Sequence, residues 1–128
     1  MRATVVKRVS FEAAHFLPNY DGPCRNTHGH HFVVEIGVSG EVDKETGMVI
    51  DFKHLKQALE PIIDKFDHHL LNDTIPNPTA ENIASYIFDL LQGGLAADWS
   101  PDSQDYSIVV EFVRVWETED SYAEVRGD

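Results

Sequence analysis

Hydrophobic and polar residues alternate in two runs near the start of the chain, at residues 4–13 and 28–40. Alternation with a period of two is typical of a half-buried β-strand. The buried face of the first strand is predicted to carry Val5, Val9, Phe11, Ala13 and His15. The corresponding face of the second is predicted to carry His28, His30, Phe32, Val34, Ile36 and Val38. Residues 16–27, rich in Pro, Asn, Asp and Gly, are predicted to form the connecting loop.

The middle of the chain changes to helical spacing. Asp51 is predicted to cap a first helix, which Pro61 should kink or split because it removes a backbone hydrogen bond. The apolar residues with helical spacing are Leu55, Leu59, Ile62, Ile63 and Phe66. Thr79 is predicted to cap a second helix that ends at Gly93-Gly94. Its predicted buried stripe is Ile83, Ile87, Leu90 and Leu91.

Two strands are predicted to close the chain, after an acidic loop at residues 95–105. Residues 106–116 are apolar on both faces: one would carry Val109, Val113 and Val115, the other Ile108, Val110 and Phe112. Residues 121–126 form a short fourth strand. The order ββααββ predicts an α+β fold, a four-stranded antiparallel sheet with two helices on one face. Since two helices cover only one face, the second apolar face of strand 3 predicts self-association.

Composition narrows the class of protein. A chain of 128 residues with 42% hydrophobic residues suits one domain, residues 1–128, with its own core. The chain has no run of 18 apolar residues, and charged residues interrupt its start, so neither a transmembrane helix nor a signal peptide is predicted. One cysteine permits no internal disulfide, which favours a reducing cytoplasm. The net charge of −12 argues against nucleic acid or an anionic membrane as partner.

Residues 11–31 contain four of the seven histidines and the only cysteine. His28 and His30 lie two apart on a predicted strand, so both imidazoles point to one face, and His15 can join them from the paired strand. Three histidines that leave a fourth tetrahedral position open are typical of a catalytic zinc site. Cys24 as a fourth ligand would close the site, so we interpret it as a reactive group beside the metal. The alternative is that these are surface loop histidines.

Asp67-His68-His69 follows the first helix. An acid at a helix C-terminus opposes the helix dipole, whereas a histidine suits it. One interpretation is a polar helix end; the other is an Asp that orients a His. For His31, His54 and His69 we favour exposed or capping positions.

Six segments in this order resemble the 6-pyruvoyltetrahydropterin synthase and 6-carboxytetrahydropterin synthase family, which has the tunnelling fold. They are Phe11-Glu-Ala-Ala-His15, Cys24-x-x-x-His28-Gly-His30, Gly47-Met-Val-Ile-Asp51-Phe52, Asp67-His68, Pro78-Thr-Ala-Glu-Asn82 and Val115-Trp-Glu117-Thr118. The resemblance implies trimers whose sheets join into a barrel, stacked in pairs as a homohexamer. It also implies a site between subunits.

The resemblance implies a role for each site residue. Zn2+ would be bound by His15, His28 and His30. Cys24 would be catalytic together with the Asp67–His68 pair, and Glu117 would anchor the pterin.

The implied enzyme is a zinc-dependent lyase acting on 7,8-dihydroneopterin triphosphate. The spacing Cys24-x-x-x-His28 resembles the carboxy branch, which yields 6-carboxytetrahydropterin, acetaldehyde and triphosphate on the route to queuosine-type 7-deazapurines. The pyruvoyl branch, with a longer gap, eliminates triphosphate and is the alternative. A third branch has glutamate in this loop, where this chain has cysteine.

Two other classes of protein remain as alternatives. The spacing His28-x-His30-x4-Glu35 resembles a cupin metal motif, but His30 and Glu35 would lie on opposite faces of an unbroken strand. Two helices in mid-chain also do not suit a jelly roll. The second alternative is a zinc-binding scaffold without catalysis.

Overall fold

The structure is a computed structural model that describes residues 1–98 and 108–127. Its strands and helices, in chain order, are β1 (Arg2–His15), β2 (His28–Glu41), α1 (Phe52–Phe66), α2 (Ala80–Asp98), β3 (Val109–Thr118) and β4 (Ser121–Arg126). Short 3-10 turns lie at Pro23–Arg25 and Leu71–Asp73. The four strands form one antiparallel sheet in the order β1-β2-β3-β4. The predicted ββααββ order is confirmed, and the jelly roll of a cupin is wrong for this chain.

Strands β1 and β2 pair along their whole length, from Arg2 opposite Glu41 to His15 opposite His28. Burial alternates along β1, with Phe11, Ala13 and His15 in the interior. The two strands therefore have the buried faces that the alternation predicted, and the histidines lie at one end of those faces.

The two helices pack on the buried face of the sheet. Asp51 caps α1 as predicted, because its carboxylate accepts a hydrogen bond from the Lys53 amide at 2.9 Å. Helix α1 continues through Pro61, so it is not split. Pro61 lies on the exposed side of the helix, where solvent can bond the backbone carbonyl that the proline leaves without a donor. The core residues of α1 are Leu55, Leu59, Ile62 and Phe66.

Helix α2 differs from its prediction in two ways. It runs to Asp98, past the predicted end at Gly93-Gly94, because a glycine inside a helix costs only about 1 kcal/mol relative to alanine. Leu90 is 43% exposed because it lies at the edge of the buried stripe rather than at its centre. That stripe consists of Ile83, Ala84, Ile87, Phe88 and Leu91. Most of the predicted acidic loop at residues 95–105 lies outside the described residues.

A bulge in strand β3 changes which residues lie on each of its faces, so the predicted faces are wrong in part. Gly37 pairs with Phe112 and Val38 with Val110, so one extra β3 residue lies between these pairs. The extra residue shifts the alternation, and Val110 joins Val113 and Val115 in the core. Val109, predicted to lie with them, is 45% exposed.

The other face of β3 is less apolar than predicted. Phe112 covers Gly37 there, and the Arg114 guanidinium lies 4.2 Å from the centre of the Phe112 ring.

Within residues 1–98 and 108–127, no helix is both long and apolar enough to cross a membrane.

Candidate active site

Three histidines and one glutamate converge at one end of the sheet. The possible ligand atoms of His15, His28, His30 and Glu117 all lie within 4.8 Å of one another. The Nε2 atoms of His15 and His28 are 3.1 Å apart. The Oε1 atom of Glu117 lies 3.1 Å from Nε2 of His15 and 3.2 Å from Nε2 of His30.

Strand register places these side chains together. His15 pairs directly with His28, and His30 follows two residues later on the same face of β2. Glu117 continues the inward alternation of Val113 and Val115 on β3. Its position is also a bulge, because Trp116 pairs with Tyr122 and Thr118 with Ser121. Bulges next to active sites commonly re-aim a side chain.

The hydrogen bonds of two ligand rings fit a bound cation. Nδ1 of His15 lies 2.8 Å from the carbonyl oxygen of Pro78, and Nδ1 of His28 lies 2.7 Å from that of Asn26. A carbonyl only accepts, so we assign the proton of each neutral ring to Nδ1 and a lone pair to Nε2. Lone pairs of nitrogen then face one another and the Glu117 carboxylate. A metal ion at their centre relieves this repulsion, and imidazole with carboxylate is a donor set that suits zinc.

Burial favours the neutral form of His30. His15 is wholly inaccessible to solvent. Burial lowers the pKa of His30; Glu117 opposes this shift, whereas His15 and His28 add to it. A neutral imidazole is the form that binds a metal.

Glu117 brings an oxygen to the position that three histidines were predicted to leave open. This placement of Glu117 was not predicted from the sequence. The sequence does contain a signal for it: Val113, Val115 and Glu117 are spaced two apart, so alternation places all three side chains on the same face of the strand.

Asp67 and His68 form a pair held against β1. Oδ2 of Asp67 lies 3.0 Å from Nδ1 of His68, and Oδ1 of Asp67 accepts a hydrogen bond from the Glu12 amide at 2.9 Å. The Glu12 amide, and then the His68 ring, hold the pKa of Asp67 below its ordinary value. His68 has a positive φ of 59° and its side chain is 78% exposed. This geometry supports the interpretation of an Asp that orients a His.

The segment that follows lies alongside the end of β1. The Ala14 amide donates to the His69 carbonyl at 3.2 Å, and Ala14 and Leu70 form a parallel bridge. A cavity of about 540 Å³ opens here, and His30 and His68 both line it. One member of the ligand cluster, His30, and one member of the Asp67–His68 pair, His68, therefore border the same cavity.

The family model described as 6-pyruvoyl tetrahydropterin synthase matches residues 4–128. The chain belongs to this family. A synthase-family protein of Archaeoglobus fulgidus, provisionally named 6-carboxy-5,6,7,8-tetrahydropterin synthase, is 45% identical over 118 residues, covering 91% of this chain and 90% of that protein. The Synechocystis protein named 6-carboxy-5,6,7,8-tetrahydropterin synthase is 43% identical over 95 residues, covering 69% of this chain and 74% of that protein.

A solved structure supports the same fold. The 6-pyruvoyl tetrahydropterin synthase of Caenorhabditis elegans superimposes with a TM-score of 0.81 at 30% identity, covering 100% of this chain and 97% of that one. The predicted resemblance to the synthase family is thus confirmed.

Cys24, the cysteine expected from the synthase resemblance, stands apart from the ligand cluster. It lies half-buried in the turn Pro23–Arg25, and its carbonyl accepts a hydrogen bond from the Leu17 amide at 2.8 Å. It is not one of the converging ligands, nor does it line the cavity that His30 and His68 share.

The remaining histidines are exposed, as predicted. His31 pairs with the carboxylate of Glu12, and Nδ1 of His69 lies 2.7 Å from the Asp67 carbonyl. Both line the cavity, whereas His54 lies in the first turn of α1.

Proposed function

We propose that this protein is a zinc-dependent 6-carboxy-5,6,7,8-tetrahydropterin synthase. It converts 7,8-dihydroneopterin triphosphate and one water molecule to 6-carboxytetrahydropterin, acetaldehyde and triphosphate in 7-deazapurine biosynthesis. The observation that carries the proposal is the convergence of three histidines, two of which point an Nε2 lone pair inward, beside a cavity that His30 and His68 both line. The names of the two relatives at 45% and 43% identity favour the carboxy branch, as does the spacing between Cys24 and His28.

Glu117 is the residue proposed to hold the pterin. A carboxylate can accept two N–H bonds from the 2-amino and N3 edge of the ring, and such charge-assisted pairs are both strong and specific. In the structure its Oε1 atom lies against His15 and His30. Substrate binding would therefore turn the Glu117 carboxylate from the histidines to the pterin edge.

Cys24, His68 and Asp67 are the residues proposed to move protons. His68 lies on the surface of the cavity with its Nδ1 against Asp67, which leaves Nε2 free to exchange a proton with the substrate side chain. Cys24 accepts a proton as the thiolate. When bound, zinc supplies Lewis acidity that lowers the pKa of the substrate's side-chain hydroxyls.

The proposed assembly is a homohexamer built from two trimers. Strands β1 and β4 are the edges of the sheet, so sheets of neighbouring subunits can join edge to edge. The separation of Cys24 from the cavity supports a site shared between subunits. In that arrangement His68 serves the cysteine of another chain.

Product analysis tests the proposal. Purified protein is incubated with 7,8-dihydroneopterin triphosphate, acetaldehyde is measured with alcohol dehydrogenase, and the pterin is identified by chromatography. We expect acetaldehyde and 6-carboxytetrahydropterin in equal amounts. Recovery of 6-pyruvoyltetrahydropterin without acetaldehyde would assign the chain to the pyruvoyl branch. Bound zinc with no turnover of the pterin would support a scaffold without catalysis.

Cys24→Ala provides a second arm of the same assay. We expect it to fold and retain zinc but lose turnover by about 10²–10⁴-fold, the usual contribution of general acid–base catalysis. Loss of zinc together with activity would make Cys24 a ligand instead.

A further inference from the structure

The orientation of the most buried ligand depends on a loop far away in sequence. His15 is wholly inaccessible to solvent, and Nδ1 of its ring bonds the carbonyl of Pro78, 63 residues later in the chain. That carbonyl decides which nitrogen of His15 carries the proton. It therefore also decides whether Nε2 presents a lone pair to the other ligands.

The loop before α2 is held by the first turn of that helix. The side-chain amide of Asn82 donates to the carbonyl of Asn77 at 2.8 Å, and the Thr79 amide donates to the same carbonyl at 2.9 Å. The Asn82 backbone amide in turn donates to the hydroxyl of Thr79 at 3.1 Å. Pro78 lies buried between these two anchors. Its carbonyl direction therefore depends on how Asn77 and Thr79 are held.

A second asparagine ties this loop to β1. Asn72 accepts a hydrogen bond from the Phe16 amide at 3.0 Å and donates to the Phe16 carbonyl at 2.9 Å. The same side-chain amide lies 3.4 Å from the Pro76 carbonyl. The residue after His15 is thus joined to the residue two before Pro78. Both ends of the His15–Pro78 hydrogen bond are fixed by amide side chains.

We infer that Asn82 is a positioning residue for the metal centre, acting through the Asn77–Pro78 backbone on the ring of His15. The inference deepens the proposed function, because it rests on the same three-histidine site. It also gives a physical reason for the segment Pro78-Thr-Ala-Glu-Asn82. This segment begins with the carbonyl that orients a ligand and ends with the amide that holds the preceding peptide. Residues that orient a metal ligand typically contribute 10–100-fold to metal affinity.

A purely structural role for Asn82 would be to stabilise the start of α2. Asn82→Asp separates the two roles. Aspartate has the same size and keeps the backbone bond to Thr79, and its charge favours a helix N-terminus. It cannot donate to the Asn77 carbonyl. Asn82→Asp should therefore preserve the helix while releasing the Pro78 carbonyl.

The test measures zinc affinity of the full-length protein by competition with a chromogenic chelator. It also measures the thermal midpoint of the metal-free protein. We expect Asn82→Asp to bind zinc about 10–100-fold more weakly, with a thermal midpoint close to that of the parent. In nitrogen NMR spectra of the metal-free variant, His15 should show a mixture of tautomers where the parent shows only the form protonated at Nδ1. Asn82→Ala, which retains good helix propensity, should weaken zinc binding to a similar extent.

Asp51→Ala is the matched control, because it removes the side-chain cap of α1 rather than a contact in the loop before α2. It should lower the thermal midpoint and leave zinc affinity unchanged. Zinc dissociation constants of both Asn82 variants within threefold of the parent would overturn the inference. The measurement needs no substrate, so it is independent of the product assay. A protein that binds zinc but forms no pterin product would refute the proposed activity alone.

Discussion

The substitution Asp67→Asn replaces one carboxylate oxygen with an NH2 group, and it tests the role of the Asp67–His68 pair. Asp67 accepts two hydrogen bonds, from the Glu12 amide at 2.9 Å and from Nδ1 of His68 at 3.0 Å. An asparagine has only one acceptor oxygen. If that oxygen keeps the Glu12 amide, the NH2 group faces His68 and requires an unprotonated Nδ1. The substitution should therefore retain the loop and reverse the tautomer of His68.

The expected fall in kcat follows from the loss of a proton-accepting nitrogen on His68. With its proton on Nε2, the neutral ring of His68 cannot accept one at the position that faces the cavity. General acid–base catalysis typically contributes 10²–10⁴-fold, so kcat should fall by about that factor. The Michaelis constant should change little, because Asp67 does not belong to the proposed pterin anchor. The Glu12 hydrogen bond is preserved, so the thermal midpoint should remain near that of the parent.

The assay is steady-state release of acetaldehyde from 7,8-dihydroneopterin triphosphate at neutral pH. The Glu12 amide depresses the pKa of Asp67, and any stability linked to its charge is present above the ordinary value of 3.8. That contribution is lost only as the pH falls through the still lower folded-state pKa. The assay therefore compares a fully charged parent with a neutral variant. Asp64→Asn, which removes the same charge from an exposed position on α1, is the control and should retain the parent rate. A kcat of Asp67→Asn within threefold of the parent would refute the reasoning.

Four further predictions concern the metal, the pterin, the sheet and the assembly. A His28→Ala/His30→Ala double variant should lose zinc in metal analysis; full occupancy would exclude these residues as ligands. Glu117→Gln should weaken substrate binding by about 2–5 kcal/mol, read from the Michaelis constant, since an amide places donors against pterin donors. Unchanged kinetics would rule out that anchor. Gly37→Ala would place a Cβ atom 2.2 Å from Cε1 of Phe112 and should cost about 1–3 kcal/mol in urea unfolding; an unchanged midpoint would contradict this. Light scattering should show a multiple of three subunits, most simply a hexamer, and a stable monomer at micromolar concentration would disprove it.

The local pattern of residues was sufficient for the order of the elements and for the convergence of the three histidines. Alternation in β1 and β2 placed His28 and His30 on one face. Because that face is buried, only one register could put His15 beside them. Asp51 was identified as a cap from the helical spacing that follows it, and Asp67-His68 from its position after the first helix. Each of these features depends on residues close together in sequence, so a linear pattern contains the information.

The remaining features were decided by contacts between distant segments. The bulge in β3 moved Val109 out of the core and Val110 into it, and an extra residue is visible only against the pairing of the partner strand. The proton on His15 is set by a carbonyl 63 residues away, which no spacing within either segment encodes. Glu117 reaches the histidines because β3 lies beside β2 in the folded sheet, although the two strands are separated in sequence by both helices. Alternation tells which face a side chain takes, but pairing between strands determines which atoms meet across that face.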